Sequence, residues 1–244
     1  MLLSLQRNLD DMMSAIRLFF MLCWTFLLML LAPLFIPLTF NRQFPLVVAR
    51  TLFSSIALKI VGIKLKVEGV ENVPKERPVI FVANHCSHLD IIVLCRSLPV
   101  NLHFIGKKEL AWFPIVGWYM FIAGHIFLDR SNRKKAVLSL RKAAEKIKNG
   151  KCVVMYPEGT RTSTGNIGDF KKGAFHLALN SGVDVVPVHI KGTFSVWPKK
   201  TKKITPGDVF VQIGKPIETS KYTKKTIRDF VAEAKSAIEE IGKV

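Results

Sequence analysis

From residue 64 onward the chain alternates short apolar runs, rich in β-branched residues, with longer stretches of helical periodicity, and this alternation leaves few folds open. Strand-like runs fall at 64–68, 78–83, 102–105, 125–128, 152–156, 183–190 and 208–213. A helix is expected from 87, another over 133–148, a third from about Lys172 to Asn180 and a last one with Ile227, Phe230, Val231, Ala234, Ile238 and Ile241 in register. The 133–148 stretch aligns Ala136, Val137, Leu140, Ala143, Ala144 and Ile147 on one face and ends at Asn149-Gly150, as a helix should. Such a pattern predicts an α/β fold with a largely parallel sheet flanked by helices, whose ligands gather at the carboxyl ends of the strands.

The first 63 residues read differently. No charged residue occurs from Leu18 to Phe40, and Arg17 and Arg42 flank that stretch, which is long enough to cross roughly 30 Å of hydrocarbon. Pro33 and Pro37 are expected to end the helix near Ala32, and a second apolar segment, Leu46 to Ile63, contains Arg50 and Lys59. Two helices dipping into one leaflet and returning fit this better than two full spans. A cleavable signal peptide is not expected, because the run is too long and Asp10 and Asp11 precede it. The division is therefore 1–63, a membrane-embedded helical hairpin, and 64–244, one catalytic-sized α/β domain.

Charge narrows the partners. The chain carries a net +18; residues 1–63 hold five cations against two carboxylates, +3, so +15 falls on the remainder. Nucleic acid is the first partner such a balance suggests, but a mean hydropathy of +0.27 with 49% hydrophobic residues is high for that class. An anionic phospholipid membrane accounts for both, and nucleic acid is not expected. Clusters at Lys107-Lys108, at Arg130 with Arg133-Lys134-Lys135, and at Lys199-Lys200 with Lys202-Lys203 could hold the domain against acidic headgroups, although the last also reads as a solvated turn. Cys23, Cys86, Cys95 and Cys152 lack zinc spacing and imply no disulfide framework, so reduced thiols and no metal are expected.

Asn84-His85-Cys86-Ser87-His88-Leu89-Asp90 lies where the pattern passes from strand to helix. On an uninterrupted helix a five-residue offset parts two side chains, but with His85 upstream of a cap at Ser87, Asp90 in the first turn can reach back to the ring. That geometry suits a general base and its orienting acid. Ser87-x-x-Asp90 also fits a simple helix cap, which would make Asp90 structural. Cys86 as a thiol nucleophile is disfavoured, because neighbouring side chains on an extended backbone point to opposite sides.

These residues resemble the Asn-His-x-Ser-x-x-Asp signature (the HX4D motif) of the glycerolipid acyltransferase family, in particular its acylglycerol-phosphate branch. Further blocks follow in order. Gly124 to Arg130 resembles the second block, in which glycine, phenylalanine and arginine recur, here Gly124, Phe127 and Arg130. Tyr156-Pro157-Glu158-Gly159-Thr160-Arg161 contains the complete third block, Pro-Glu-Gly-Thr-Arg. Val185-Val186-Pro187-Val188 resembles the fourth, although a proline in an apolar strand can simply mark a sheet edge. Gly106-Lys107-Lys108 also matches a family stretch, and the resemblance covers roughly 64–215.

The resemblance implies transfer of an acyl group from an acyl thioester, on coenzyme A or an acyl carrier protein, to the sn-2 hydroxyl of lysophosphatidate, without a further cofactor. Glycerol 3-phosphate or another lysophospholipid is the alternative acceptor. His85 would be the base and Asp90 its partner; Arg161, Thr160 and Gly159, with Arg130 or Lys107, would hold the phosphate. Asn84, Ser87, Phe127 and Pro187 would support the site, and Glu158 would orient Arg161 or a substrate hydroxyl. Free N–H groups near Ser87 are expected to face the oxyanion. The implied location is the cytoplasmic face of the cell membrane, attached to one leaflet. The sequence lacks Gly-x-Ser-x-Gly, a phosphate-loop Gly-Lys-Ser/Thr, Gly-x-Gly-x-x-Gly and His-Glu-x-x-His, so hydrolase, nucleotidase, Rossmann and zincin readings have no handle. The competing class is a non-catalytic basic protein that binds membrane surfaces.

Overall fold

A computed structural model describes residues 2–129 and 131–243. Helix α1 (Leu2–Thr39) is followed by a second helical stretch composed of α2 (Phe44–Val48), a π-turn over Ala49–Phe53 and α3 (Ser54–Val61). Then come β1 (Ile63–Glu68), β2 (Ile80–Ala83), α4 (Leu89–Ser97), β3 (Leu102–Lys107), α5 (Val116–Ile122), β4 (Ile126–Leu128), α6 (Arg133–Lys148) and β5 (Cys152–Met155). The chain closes with α7 (Gly173–Ser181), β6 (Val185–Lys191), the short α8 (Thr193–Val196), β7 (Gly207–Ile213) and α9 (Ile227–Ile241).

Among the described residues the strands form one sheet in the order β1-β7-β6-β2-β5-β3-β4. Every pairing is parallel except β6 with β7. β2 lies near the centre and is buried throughout. Its alternate side chains feed two cores: Phe81 and Ala83 meet Leu89 and Val93 of α4, whereas Ile80 and Val82 meet Ala144 and Ile147 of α6, Phe175 of α7 and Phe230 of α9. A strand buried on both faces has no reason to alternate polar with apolar, and β2 and β5 do not.

The α/β reading and the 133–148 helix stand, with Asn132 capping α6 through its side-chain oxygen on the Lys135 N–H. The expected stop at Ala32 does not: α1 continues through Pro33 and Pro37 to Thr39. A proline removes one helical hydrogen bond, but unwinding a turn in an apolar setting would strand several backbone groups. The edge reading of Pro187 also fails. β6 is an interior strand, and Pro187 sits where β7 has just ended; the Gly214 N–H reaches back to its carbonyl at 2.9 Å. A Cβ at Gly214 would come within 2.8 Å of the proline ring, so only glycine lets the chain leave β7 at this point.

The two N-terminal helical stretches, Ser4–Leu34 and Phe44–Val61, are long and apolar enough to cross a membrane. α1 nevertheless lies against the domain: the Trp24 indole donates to the Phe53 carbonyl, Ser14 Oγ accepts from the Ile204 N–H at 2.7 Å, and Asp11 pairs with Lys203. Its outer face leaves Phe19 and Leu30 more than half exposed, and beside α5 Trp112 is 83% and Phe121 78% exposed. So much uncovered apolar surface suits lipid rather than water.

Candidate active site

The site is built where β2 and β5 end. β2 stops at Ala83, and Asn84 extends its ladder with a side chain: Oδ1 accepts from the Ile190 N–H at 2.8 Å while Nδ2 donates to the Ile190 carbonyl at 2.9 Å. His85 is thereby set just past the carboxyl end of a central strand with its backbone held on both sides. Its N–H donates to Glu158 Oε1 at 2.7 Å, and its carbonyl accepts from the Thr162 N–H at 2.8 Å. The ring stacks on Tyr156, centroids 3.9 Å apart and 14° from parallel.

His85 Nδ1 lies 2.7 Å from Asp90 Oδ2. Asp90 is fully buried, and its other donors come from every side: the Cys86 and Ser87 N–H groups to Oδ2 at 2.7 and 2.9 Å, and Thr193 Oγ1 to Oδ1 at 2.6 Å. A carboxylate with this many donors, in the first turn of α4, is held on both oxygens and cannot rotate. The dyad reading and the cap reading thus describe the same carboxylate. The cap position itself is His88, one residue later than expected, and Ser87 Oγ accepts from the Leu89 N–H at 3.3 Å while donating to the Trp197 carbonyl. Among the described residues His85 Nε2 has no hydrogen-bond partner, and the side chain is 17% exposed, open to solvent on that side.

The third block begins at the end of β5. Glu158, only 7% exposed, does not orient Arg161; Oε1 takes the His85 N–H and Oε2 the Gly168 N–H at 2.9 Å. Buried between two backbone donors, it is a strut between blocks. Gly159 has φ +74°, and a Cβ there would meet the Lys171 ammonium at 3.0 Å. Lys199 closes over the block from another loop, donating to Thr160 Oγ1 at 3.2 Å and to the Arg161 carbonyl at 2.7 Å. The Arg161 guanidinium forms no ion pair among the described residues. Gly159, Thr160 and Arg161 therefore gather two lysines: Lys171, which the sequence reading did not single out, and Lys199, whose cluster was read as a headgroup contact or a solvated turn and which faces the block instead.

His88 lies over Trp197 at a centroid distance of 5.1 Å, and burial, with the charges of Arg161 and His85, pulls its pKa down. Burial, followed by the Asp90 charge, pushes the Cys86 thiol up to about 12, which removes it as a nucleophile. Of the amides near Ser87 expected to serve an oxyanion, those of Cys86 and Ser87 are spent on Asp90 and that of Leu89 on Ser87 Oγ, so these three are not free for it.

The second block is less involved. Lys107 is exposed at the end of β3, and Phe127 is half-buried on edge strand β4, where it pairs with Gly106. Asp129 accepts from Ser131 and Lys108, which hold its carboxyl far below the usual range. Arg130 lies outside the described residues. No cluster of three or more His, Cys, Asp or Glu side chains among the described residues could hold a metal. A groove of about 570 Å³ runs along α1, lined by Ala15, Leu18 and Leu22 with Lys202 and Lys203 at its rim.

The "Acyltransferase" family model matches residues 64–191. The chain is 38% identical over 197 residues to the 1-acyl-sn-glycerol-3-phosphate acyltransferase of Saccharomyces cerevisiae, covering 78% of this chain and 65% of that protein. It is 34% identical over 181 residues to the protein of the same name from Limnanthes douglasii, covering 74% and 64% respectively. The chain thus spans just under two thirds of the length of these curated relatives. Among solved structures, the 1-acyl-sn-glycerophosphate acyltransferase PlsC of Thermotoga maritima superposes with a TM-score of 0.80 at 32% identity, covering 97% of this chain and 98% of that one.

Proposed function

We propose that this chain, which belongs to the acyltransferase family, moves an acyl group from a thioester to the sn-2 hydroxyl of lysophosphatidate to give phosphatidate. The relatives' names support that acceptor. The observation that carries the catalytic reading is the pairing of His85 Nδ1 with Asp90 while Nε2 faces an opening without a partner. Asp90 fixes the proton on Nδ1, so Nε2 is the basic nitrogen.

In the reaction the phosphate lies against Arg161, Thr160 and the Gly159 backbone, with Lys199 and Lys171 adding positive charge. The lipid hydroxyl meets Nε2. Nε2 takes its proton as the oxygen attacks the thioester carbonyl, forming the C–O bond. Collapse of the tetrahedral intermediate breaks the C–S bond, and the proton on Nε2 leaves with the thiolate. Base assistance of this kind contributes roughly 10²- to 10⁴-fold, so positioning by the cationic cradle supplies much of the remainder. The groove along α1 suits an acyl chain, and the apolar faces of α1 and α5 seat the enzyme on one leaflet at its cytoplasmic face.

A transfer assay that crosses acyl-coenzyme A and acyl carrier protein donors with lysophosphatidate and glycerol 3-phosphate acceptors tests the substrate. Transfer to lysophosphatidate with wild type, lost in His85→Ala while vesicle binding persists, is the expected result. Wild type that binds vesicles but transfers from neither donor would leave the non-catalytic reading.

A further inference from the structure

At the opposite end of the sheet from His85, a cavity of about 930 Å³ opens beneath the first residues of β2, β3 and β5. Arg42, Arg50, Lys75, Arg77 and Lys151 line it, against one lining carboxylate, Glu76. None of them belongs to the dyad or to the third block. Arg77 pairs with Asp184, and Arg50 donates one guanidinium nitrogen to the Pro99 carbonyl, but Arg50 Nε is buried with no partner. Asn101 Oδ1 is buried and unpartnered as well, while its Nδ2 donates to Gln43 at 2.8 Å. Lys151 reaches into the cavity through the space left by Gly124, whose φ is +69° and where a Cβ would come within 2.7 Å of the ammonium. Its pKa is lowered, first by burial and then by Lys146.

Gathering this many cations around one concave space is repulsive unless an anion enters, and an unpaired buried guanidinium N–H is a donor still in want of an acceptor. The cavity's position names the source of the anion. Arg42 and Gln43 form the turn between the two apolar helical stretches, and Phe121, 78% exposed, stands on the rim. We infer that this cavity binds the phosphate headgroup of an anionic phospholipid, with the acyl chains continuing over the apolar faces of α1 and α5. It is a second lipid site, independent of acyl transfer, that would fix how the domain sits on a negatively charged leaflet.

The test uses the full chain in neutral-detergent micelles doped with phosphatidylglycerol, and reads the thermal unfolding midpoint. Wild type is expected to gain about 5 °C in a saturable manner. Arg42→Ala/Lys75→Ala/Lys151→Met is expected to keep less than about 1 °C of that gain. Arg141→Ala/Lys142→Ala/Lys148→Ala removes the same charge from exposed positions of α6 that do not line the cavity and is expected to retain it. Because Lys151 donates to the Gly124 carbonyl at 2.7 Å, the double variant of the exposed Arg42 and Lys75 repeats the test without touching that bond. Equal loss in the pocket and α6 variants, or the same stabilisation from inorganic phosphate alone, overturns the assignment.

Discussion

Replacing Glu158 by glutamine separates a structural strut from a substrate contact. The carboxylate is nearly inaccessible and accepts one backbone N–H on each oxygen, from His85 at 2.7 Å and from Gly168 at 2.9 Å. Glutamine keeps one oxygen and turns an amide N–H₂ toward the other donor. One charge-assisted bond is lost and one buried N–H is left unsatisfied, together about 3 kcal/mol. For a chain of this length that lowers the melting midpoint by roughly 6 to 12 °C. If the surviving oxygen stays on Gly168, the His85 backbone is released, and a displacement near 1 Å at the base costs on the order of 10²-fold in turnover. The assay is thermal unfolding together with kcat and KM for the phosphorylated acceptor in mixed micelles. A lowered midpoint and lowered kcat with KM unchanged are expected. An unchanged midpoint with a raised KM would refute the argument, since it would put Glu158 against the substrate.

Asp90→Asn offers a single oxygen to the three donors now on Oδ2 and no longer holds the proton on Nδ1; kcat should fall about 10³- to 10⁴-fold, and Asp90→Asn/His85→Ala should be no slower than His85→Ala alone in single-turnover assays. Stability should decline in mild acid. Burial holds His103 and His125 neutral, with pKa values pulled from the ordinary 6.5 to about 4 and about 3. Below 6.5 the unfolded rings bind protons that the folded ones refuse, so each removes about 2 kcal/mol by pH 5 relative to pH 8, measurable as a falling urea midpoint that His103→Gln partly flattens.

The α/β sheet was legible because β-branched runs and helical periodicity are local signals, and α6 was recoverable to the residue because both its ends carry local stop signals. The dyad was legible for the same reason: His85 and Asp90 are five residues apart, and the bend between them is written in the intervening residues. What the sequence hid is long-range. Glu158 lies 73 residues from the backbone it supports, Thr193 lies 103 from Asp90, and Lys199 lies 39 from Thr160. A lysine run reads locally as a headgroup contact or a solvated turn, and a lone threonine carries no local signal, so neither tells which distant residue it will meet. The proline expectations failed for a related reason. Pro33 and Pro187 were judged by what each residue does to its own hydrogen bond, whereas their surroundings decided the outcome: an apolar setting for α1, and a ladder ending at Gly214 for β6.

Asn84 joins the His85 turn to the sheet by two hydrogen bonds to one residue of β6, the N–H and the carbonyl of Ile190. A ring moored in this way takes its position from the buried sheet, not from the lipid-facing helix or the lysine-bearing loop. On the proposed acyl transfer, a change of chain preference would therefore be sought in those outlying parts, with His85 left where it stands.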